Sequence, residues 1–143
     1  MTTADIMTRD VITVNPDTTM AKVQDIFRMN NIHHLPVVSE GQVVGIISHS
    51  DYLKLLHGFT LFKTEKSQEY NDAILRSLLV SEVMTKQVAT LHPEDSLELA
   101  ASLFRENLFH AIPVVEKNGT LAGILTTFDM INYAFSNQAL LSD

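Results

Sequence analysis

Two short phrases carry the side chains best suited to holding a polar ligand: Gly45-Ile46-Ile47-Ser48-His49-Ser50-Asp51 and Gly123-Ile124-Leu125-Thr126-Thr127-Phe128-Asp129. Each runs glycine, two apolar residues, a hydroxyl residue, two variable positions, then aspartate. Glycine lets another group approach the backbone closely. The apolar pair buries a strand. The hydroxyl and the carboxylate then emerge at a strand-to-helix junction, beside helix N-terminal N–H groups that favour an anion. A carboxylate offers two acceptor oxygens and can take both hydroxyls of a vicinal diol such as a ribose presents. The same aspartate can also cap its helix. For one isolated phrase capping is the better reading; two copies, each beside a hydroxyl, favour binding.

Other chemistry is weakly represented. The chain has no cysteine, which excludes disulfide scaffolds, cysteine-ligated zinc and thiol catalysis. His33, His34 and His110 make a poor metal set, because adjacent residues on a strand point to opposite faces. For His49, His57 and His92 the sequence alone suggests no convincing partner. Ser48-His49 and His49-Ser50 are neighbours whose side chains diverge, with no third group to orient them. There is neither a Gly-x-Ser-x-Gly elbow nor a glycine-rich loop ending in Lys-Ser/Thr. The acidic pair Glu94-Asp95 falls at a helix start, where capping accounts for it. A non-enzymatic role is expected.

The elements that must position the two phrases come as a duplication. Pro16 and Pro93, like Pro36 and Pro113, lie 77 positions apart, and proline is the residue that most constrains the backbone. At that offset Met7-Thr8 meets Met84-Thr85, Phe27-Arg28 meets Phe104-Arg105, His33 meets His110, and Pro36-Val37-Val38 meets Pro113-Val114-Val115. One inserted residue near Asn118 then brings Gly41, Gly45 and Asp51 onto Gly119, Gly123 and Asp129. Each copy predicts strand, helix, strand, strand, helix. Val11–Val14 and Val88–Leu91 are short β-type runs. The next helix presents Met20, Val23, Ile26 and Phe27 in the first copy, and Leu97, Ala100, Ala101, Leu103 and Phe104 in the second. Asp95 with Glu98 suggests a capping box, and Asn118-Gly119 is a hairpin signal. The final helices start near Ser50 and Thr127. Residues 1–58 form the first repeat, 81–143 the second. The intervening 59–80 reads as a linker, a loop through Lys66 and then a helix with Ala73, Ile74, Leu78 and Leu79 on one face. That linker is either structural packing or a surface for a partner.

The order, spacing and duplication of these segments resemble a tandem pair of CBS domains, a Bateman module. The resemblance rests on Met7-Thr8 and Met84-Thr85, on His33-His34-Leu35-Pro36-Val37-Val38 and His110-Ala111-Ile112-Pro113-Val114-Val115, and on the two Gly-to-Asp phrases. It implies an α/β (α+β) fold of two β-α-β-β-α repeats related by a pseudo-twofold axis, packed through their sheets, with a partly helical linker. It implies two clefts that take adenosine nucleotides, and pairing of two chains as a homodimer. It also implies the residues facing the clefts. One cleft would use Thr126 and Asp129 with Met7, Ile12 and Ile32. The other would use Ser48, Ser50 and Asp51 with Met84, Ala89 and Phe109. Phe109 fits either stacking on a base or filling space. His33 and His110 stand at the phosphate end, where many nucleotide binders of the family carry Arg or Lys; imidazole would help an anion only in part of the physiological pH range. They fit packing as well.

Composition limits the ligand and the partners. With 10 Lys+Arg against 17 Asp+Glu, the net charge of −7 argues against nucleic acid, and it weakens the case for a polyphosphate. At 45% hydrophobic and 19% charged the chain has the balance of a globular protein. No apolar run approaches a membrane span. Met1-Thr2-Thr3-Ala4-Asp5 carries no signal pattern, so a cytoplasmic location is expected. The reading is a regulatory sensor that requires no cofactor and takes AMP, ADP, ATP or S-adenosylmethionine as regulatory ligand. The alternative is a ligand-free dimerisation or protein-interaction scaffold.

Overall fold

Proline carbonyls set the frame in each half of the chain. In the computed structural model, which describes residues 1–59 and 67–142, the elements run α1 (Thr3–Ile6), α2 (Met20–Met29), β1 (His34–Ser39), β2 (Gln42–Ser48), α3 (His49–Phe59), α4 (Ser67–Ser77), α5 (Val80–Val83), α6 (Leu97–Arg105), β3 (Ala111–Val115), β4 (Leu121–Thr126) and α7 (Thr127–Ser142). Two two-stranded sheets, β1-β2 and β3-β4, with their flanking helices give an α+β fold. The loop expected from residue 59 to Lys66 lies, from residue 60 onward, outside the described residues; Phe59 itself closes α3.

The chain divides into two compact units, and neither is continuous in sequence. One comprises Met1–Val11, Gly41–Val43 and Val88–Asp143, the other Ile12–Glu40 and Val44–Gln87. Each unit thus takes the opening segment of one repeat and the body of the other. In the first unit the N–H groups that start α1 are received by the second repeat: Thr3 donates to Asp95 O at 2.8 Å and Ala4 to Pro93 O at 2.9 Å. In the second unit Val80 donates to Thr18 O at 2.8 Å and Ser81 to Pro16 O at 3.0 Å. These contacts satisfy helix N-terminal donors that would otherwise be orphaned.

Each unit has its own core. One gathers Met20, Val23, Leu35, Val37, Ile47, Leu75 and Val80, the other Leu91, Ala100, Ile112, Val114 and Leu125. Full burial of each large aliphatic side chain contributes about 1.5–3 kcal/mol. The cores differ in one respect. In the Ile12–Gln87 unit the buried Gln24 Nε2 donates to the Tyr52 hydroxyl; the matching positions in the other copy are the apolar Ala101 and Met130.

Four details depart from the sequence reading. The leading strands reduce to single parallel bridges, Val14 with Val37 and Leu91 with Val114. Ser96, not Asp95, caps α6, accepting from Leu99 N–H at 3.2 Å, because Asp95 already accepts from His92 N–H at 2.7 Å. Thr19 caps α2 in the same way, accepting from Lys22 N–H. In α4 the buried residues are Asn71 and Leu75, while Ala73 faces solvent. Finally, the Asn118-Gly119 hairpin forms as expected between the antiparallel β3 and β4, but it is the Glu40-Gly41 turn that has positive φ at both residues; beside Gly119 the Asn118 side chain accepts from Thr120 N–H at 3.1 Å.

Candidate functional site

The two Gly-to-Asp phrases span β2 into α3 and β4 into α7, so hydroxyl and aspartate emerge where a strand turns into a helix. At each junction they bond reciprocally. Asp51 Oδ2 accepts from Ser48 N–H at 3.1 Å, and Asp51 N–H donates to Ser48 Oγ at 3.0 Å. Asp129 Oδ2 accepts from Thr126 N–H at 3.0 Å, and Asp129 N–H donates to Thr126 Oγ1 at 3.0 Å. This is a capping box with aspartate in the third helical position. Capping and binding are therefore compatible, since the cap uses one carboxylate oxygen and leaves the other for a further donor. The backbone behind the junction is pinned as well: His49 N–H donates to His33 O at 2.7 Å, and Thr127 N–H to His110 O at 3.0 Å.

The glycines explain what reaches each junction from the opposite repeat. A Cβ on Gly45 would stand 2.9 Å from Thr85 O and 2.6 Å from Met84 Sδ. On Gly123 it would stand 2.7 Å from Thr8 O and 2.9 Å from Met7 Sδ. Only glycine leaves room for the Met-Thr pair to bridge the strand. Those bridges are Thr8 with Ile124, through N–H to O contacts of 2.9 Å in both directions, and Thr85 with Ile46, at 2.9 and 3.1 Å. The close approach that the glycines permit is thus made by the protein's own backbone.

The structure therefore brings Met7 to the Thr126–Asp129 junction and Met84 to the Ser48–Asp51 junction. The first unit also holds Ala89, Phe109 and His110, and the second holds Ile12, Ile32 and His33; the expected grouping pairs Ile12 and Ile32 with Asp129, and Ala89 and Phe109 with Asp51. Phe109 is half-buried and packs against the core containing Met7 and Leu91. Ile12 is 39% exposed, and Ile32 packs on the core of its unit. His33 and His110 are exposed. The His33 ring stands edge-on to His49 at 5.7 Å, and His49 is edge-on to Phe27 at 5.1 Å. His92, unpaired in the sequence reading, makes a 2.9 Å contact from Nδ1 to Val115 O.

One contact at these junctions escaped the sequence reading. Thr8 Oγ1 donates to both oxygens of Asp129, at 3.2 and 3.3 Å. At the other junction the Ser48 and Ser50 hydroxyls lie 3.1 Å apart. The repeated Met-Thr pair is the signal that could have pointed to Thr8, but nothing in the sequence indicates which group its hydroxyl meets.

Comparison with known proteins follows the same division. The CBS domain family model matches residues 4–58 and 80–136. Protein MJ1225 of Methanocaldococcus jannaschii is 35% identical over 129 residues, covering 90% of this chain and 45% of its own length. Its crystal structure superposes with a TM-score of 0.77 over 92% of this chain and 47% of that one. CBSX2 of Arabidopsis thaliana, solved in complex with AMP, is 27% identical, with a TM-score of 0.76 over 96% of this chain and 98% of its own. The CBS domain pair of protein MJ0100, solved with 5′-methylthioadenosine and S-adenosylmethionine, is 26% identical, with a TM-score of 0.74 over 96% and 98%. This chain spans less than half the length of MJ1225, and 23–24% of the homoserine O-acetyltransferases that it also matches.

Proposed function

This chain belongs to the CBS domain family as a tandem pair, and from that premise we propose that it is a non-catalytic regulatory module that binds an adenosine-type ligand. The observation that carries the reading is the hydroxyl–aspartate junction, built twice, where the cap itself uses only one oxygen of each carboxylate. The complexes of CBSX2 with AMP and of MJ0100 with 5′-methylthioadenosine and S-adenosylmethionine support the ligand class. AMP, ADP, ATP and S-adenosylmethionine all share the adenosine diol. Bound at 100 times its dissociation constant, such a ligand stabilises the fold by about 2.7 kcal/mol. The test is a thermal-unfolding panel with these four compounds on the wild type and on the Asp51→Ala/Asp129→Ala double variant. A shift in the wild type that disappears in the double variant supports the reading; no shift with any of the four rejects it.

A second observation favours self-association beside ligand binding. On α7, Phe128, Ile131 and Phe135 lie at helical spacing and are 68, 54 and 63% exposed, while Asp129 is the helix's only charged residue. An apolar stripe without charges can meet its own copy across a twofold axis without burying an unpaired ion. A homodimer through this face predicts that Phe135→Glu shifts the sedimentation coefficient to that of a monomer; an unchanged coefficient rejects it.

A further inference from the structure

The two carboxylates, matched by the repeat, are not in the same state. At Asp129 both oxygens are taken: Oδ2 by the Thr126 N–H at 3.0 Å, and Oδ1 and Oδ2 together by the Thr8 hydroxyl at 3.2 and 3.3 Å. At Asp51 the Ser48 N–H occupies Oδ2, and among the described residues no hydrogen bond reaches Oδ1. The difference does not come from register. Thr85 bridges Ile46 just as Thr8 bridges Ile124, yet among the described residues no hydrogen bond joins the Thr85 hydroxyl to Asp51. The neighbouring position differs too. Ser50, whose hydroxyl lies 3.1 Å from that of Ser48, is matched in the other copy by the exposed phenyl ring of Phe128.

We propose that Thr8 is a built-in competitor at Asp129, its hydroxyl standing where a ligand hydroxyl would bind, so that Asp51 is the ribose-binding carboxylate and Asp129 binds only when Thr8 is displaced. This rests on the regulatory reading above and adds to it an order of occupancy. A carboxylate holds a diol best with one oxygen accepting from each hydroxyl. At Asp51 one oxygen is open and the other carries a single backbone N–H. At Asp129 a ligand must first break a contact that the protein already makes to the charged group. A hydrogen bond to a charged group corresponds to about tenfold or more in affinity. The Thr8 contact, split between two oxygens at distances beyond 3 Å, sits at the low end of that range. Because Thr8 belongs to the opening segment of the first repeat and Asp129 to the second, filling the Asp129 site also releases a side-chain tether between two parts of the chain 121 residues apart in sequence. Occupancy of the second site therefore changes how that segment is held, and occupancy of the first does not.

The experiment is calorimetric titration of the whole chain with AMP, comparing wild type with Thr8→Val, Thr85→Val, Asp51→Asn and Asp129→Asn. The asparagine variants keep an acceptor for the capping N–H, so each helix start stays capped. The wild type is expected to take one strong equivalent, weakened at least tenfold in Asp51→Asn, and a weaker second equivalent that Asp129→Asn removes. Thr8→Val is expected to tighten a second equivalent by about tenfold, while Thr85→Val leaves binding unchanged. A strong equivalent that survives Asp51→Asn and disappears in Asp129→Asn overturns the proposal, as does a Thr8→Val protein that titrates like the wild type; both leave the regulatory reading intact. AMP binding to none of the five proteins overturns the proposal, and the thermal panel with S-adenosylmethionine then decides whether the regulatory reading falls with it.

Discussion

The Asp51 junction and the Asp129 junction share a backbone and differ in the side chains laid on it. In both, a glycine admits a Met-Thr pair from the opposite repeat, a hydroxyl caps the helix, and the aspartate returns the cap. Past that point they part: Ser50 against Phe128, a carboxylate oxygen that no hydrogen bond reaches among the described residues against one held by Thr8, and a polar Gln24–Tyr52 pair in one core where the other has Ala101 and Met130. The positions that shape the backbone and the hydroxyl–aspartate pair are repeated, whereas Ser50 against Phe128 and Gln24–Tyr52 against Ala101 and Met130 are not. Duplication thus supplied two equivalent frames that carry different side chains at these positions.

The comparison can be pressed hardest at the core. Leu35 and Ile112 are matched and fully buried, so Leu35→Ala and Ile112→Ala should each lower stability by about 2–5 kcal/mol in urea denaturation. A cost in one copy but not the other would break the equivalence of the two frames. Next is the polar pair. Tyr52→Phe leaves the buried Gln24 amide without its acceptor and should cost about 1–3 kcal/mol, whereas the transplant Gln24→Ala/Tyr52→Met, copying the other repeat, should cost less than the sum of its single changes. Strict additivity would deny that the two residues act as a pair. The caps come third: Thr19→Ala and Ser96→Ala should each cost about 1 kcal/mol, equally within error.

The smallest effect is acid-side. The Thr2 N–H, 2.7 Å from its carboxylate, holds Asp5 below the ordinary carboxylate range. A lowered value means that this contribution is complete at neutral pH and is lost as pH falls through the folded-state value. Carboxyl-carbon NMR titration should place Asp5 below Asp in a short peptide, and Asp5→Asn should flatten the acid limb of the stability curve. A titration at the peptide value would remove the effect.

The repeat, the helices and the two junctions were readable because their determinants are local. Proline and glycine restrict the backbone wherever they stand, and a hydroxyl three residues before an aspartate at a helix start is a short-range pattern. What the sequence hid depends on competition or on distance. Asp95 resembles a cap, but its carboxylate is drawn to the His92 N–H and the cap passes to Ser96. In α4, helical spacing allows several apolar faces, and packing selected the one containing Asn71 and Leu75. The leading β-runs have strand composition, yet each forms only one bridge. Thr8 and Asp129 meet only through the fold, so no spacing rule connects them.

The central claim, that these junctions hold an adenosine ligand, is tested most directly by following backbone amide resonances during titration with AMP. The Ser48 and Asp51 amides, whose partners are the Asp51 carboxylate and the Ser48 hydroxyl, should move with the first equivalent and saturate. If AMP, ADP, ATP and S-adenosylmethionine at millimolar concentration leave the Ser48, Asp51, Thr126 and Asp129 amides where they were, the claim is contradicted.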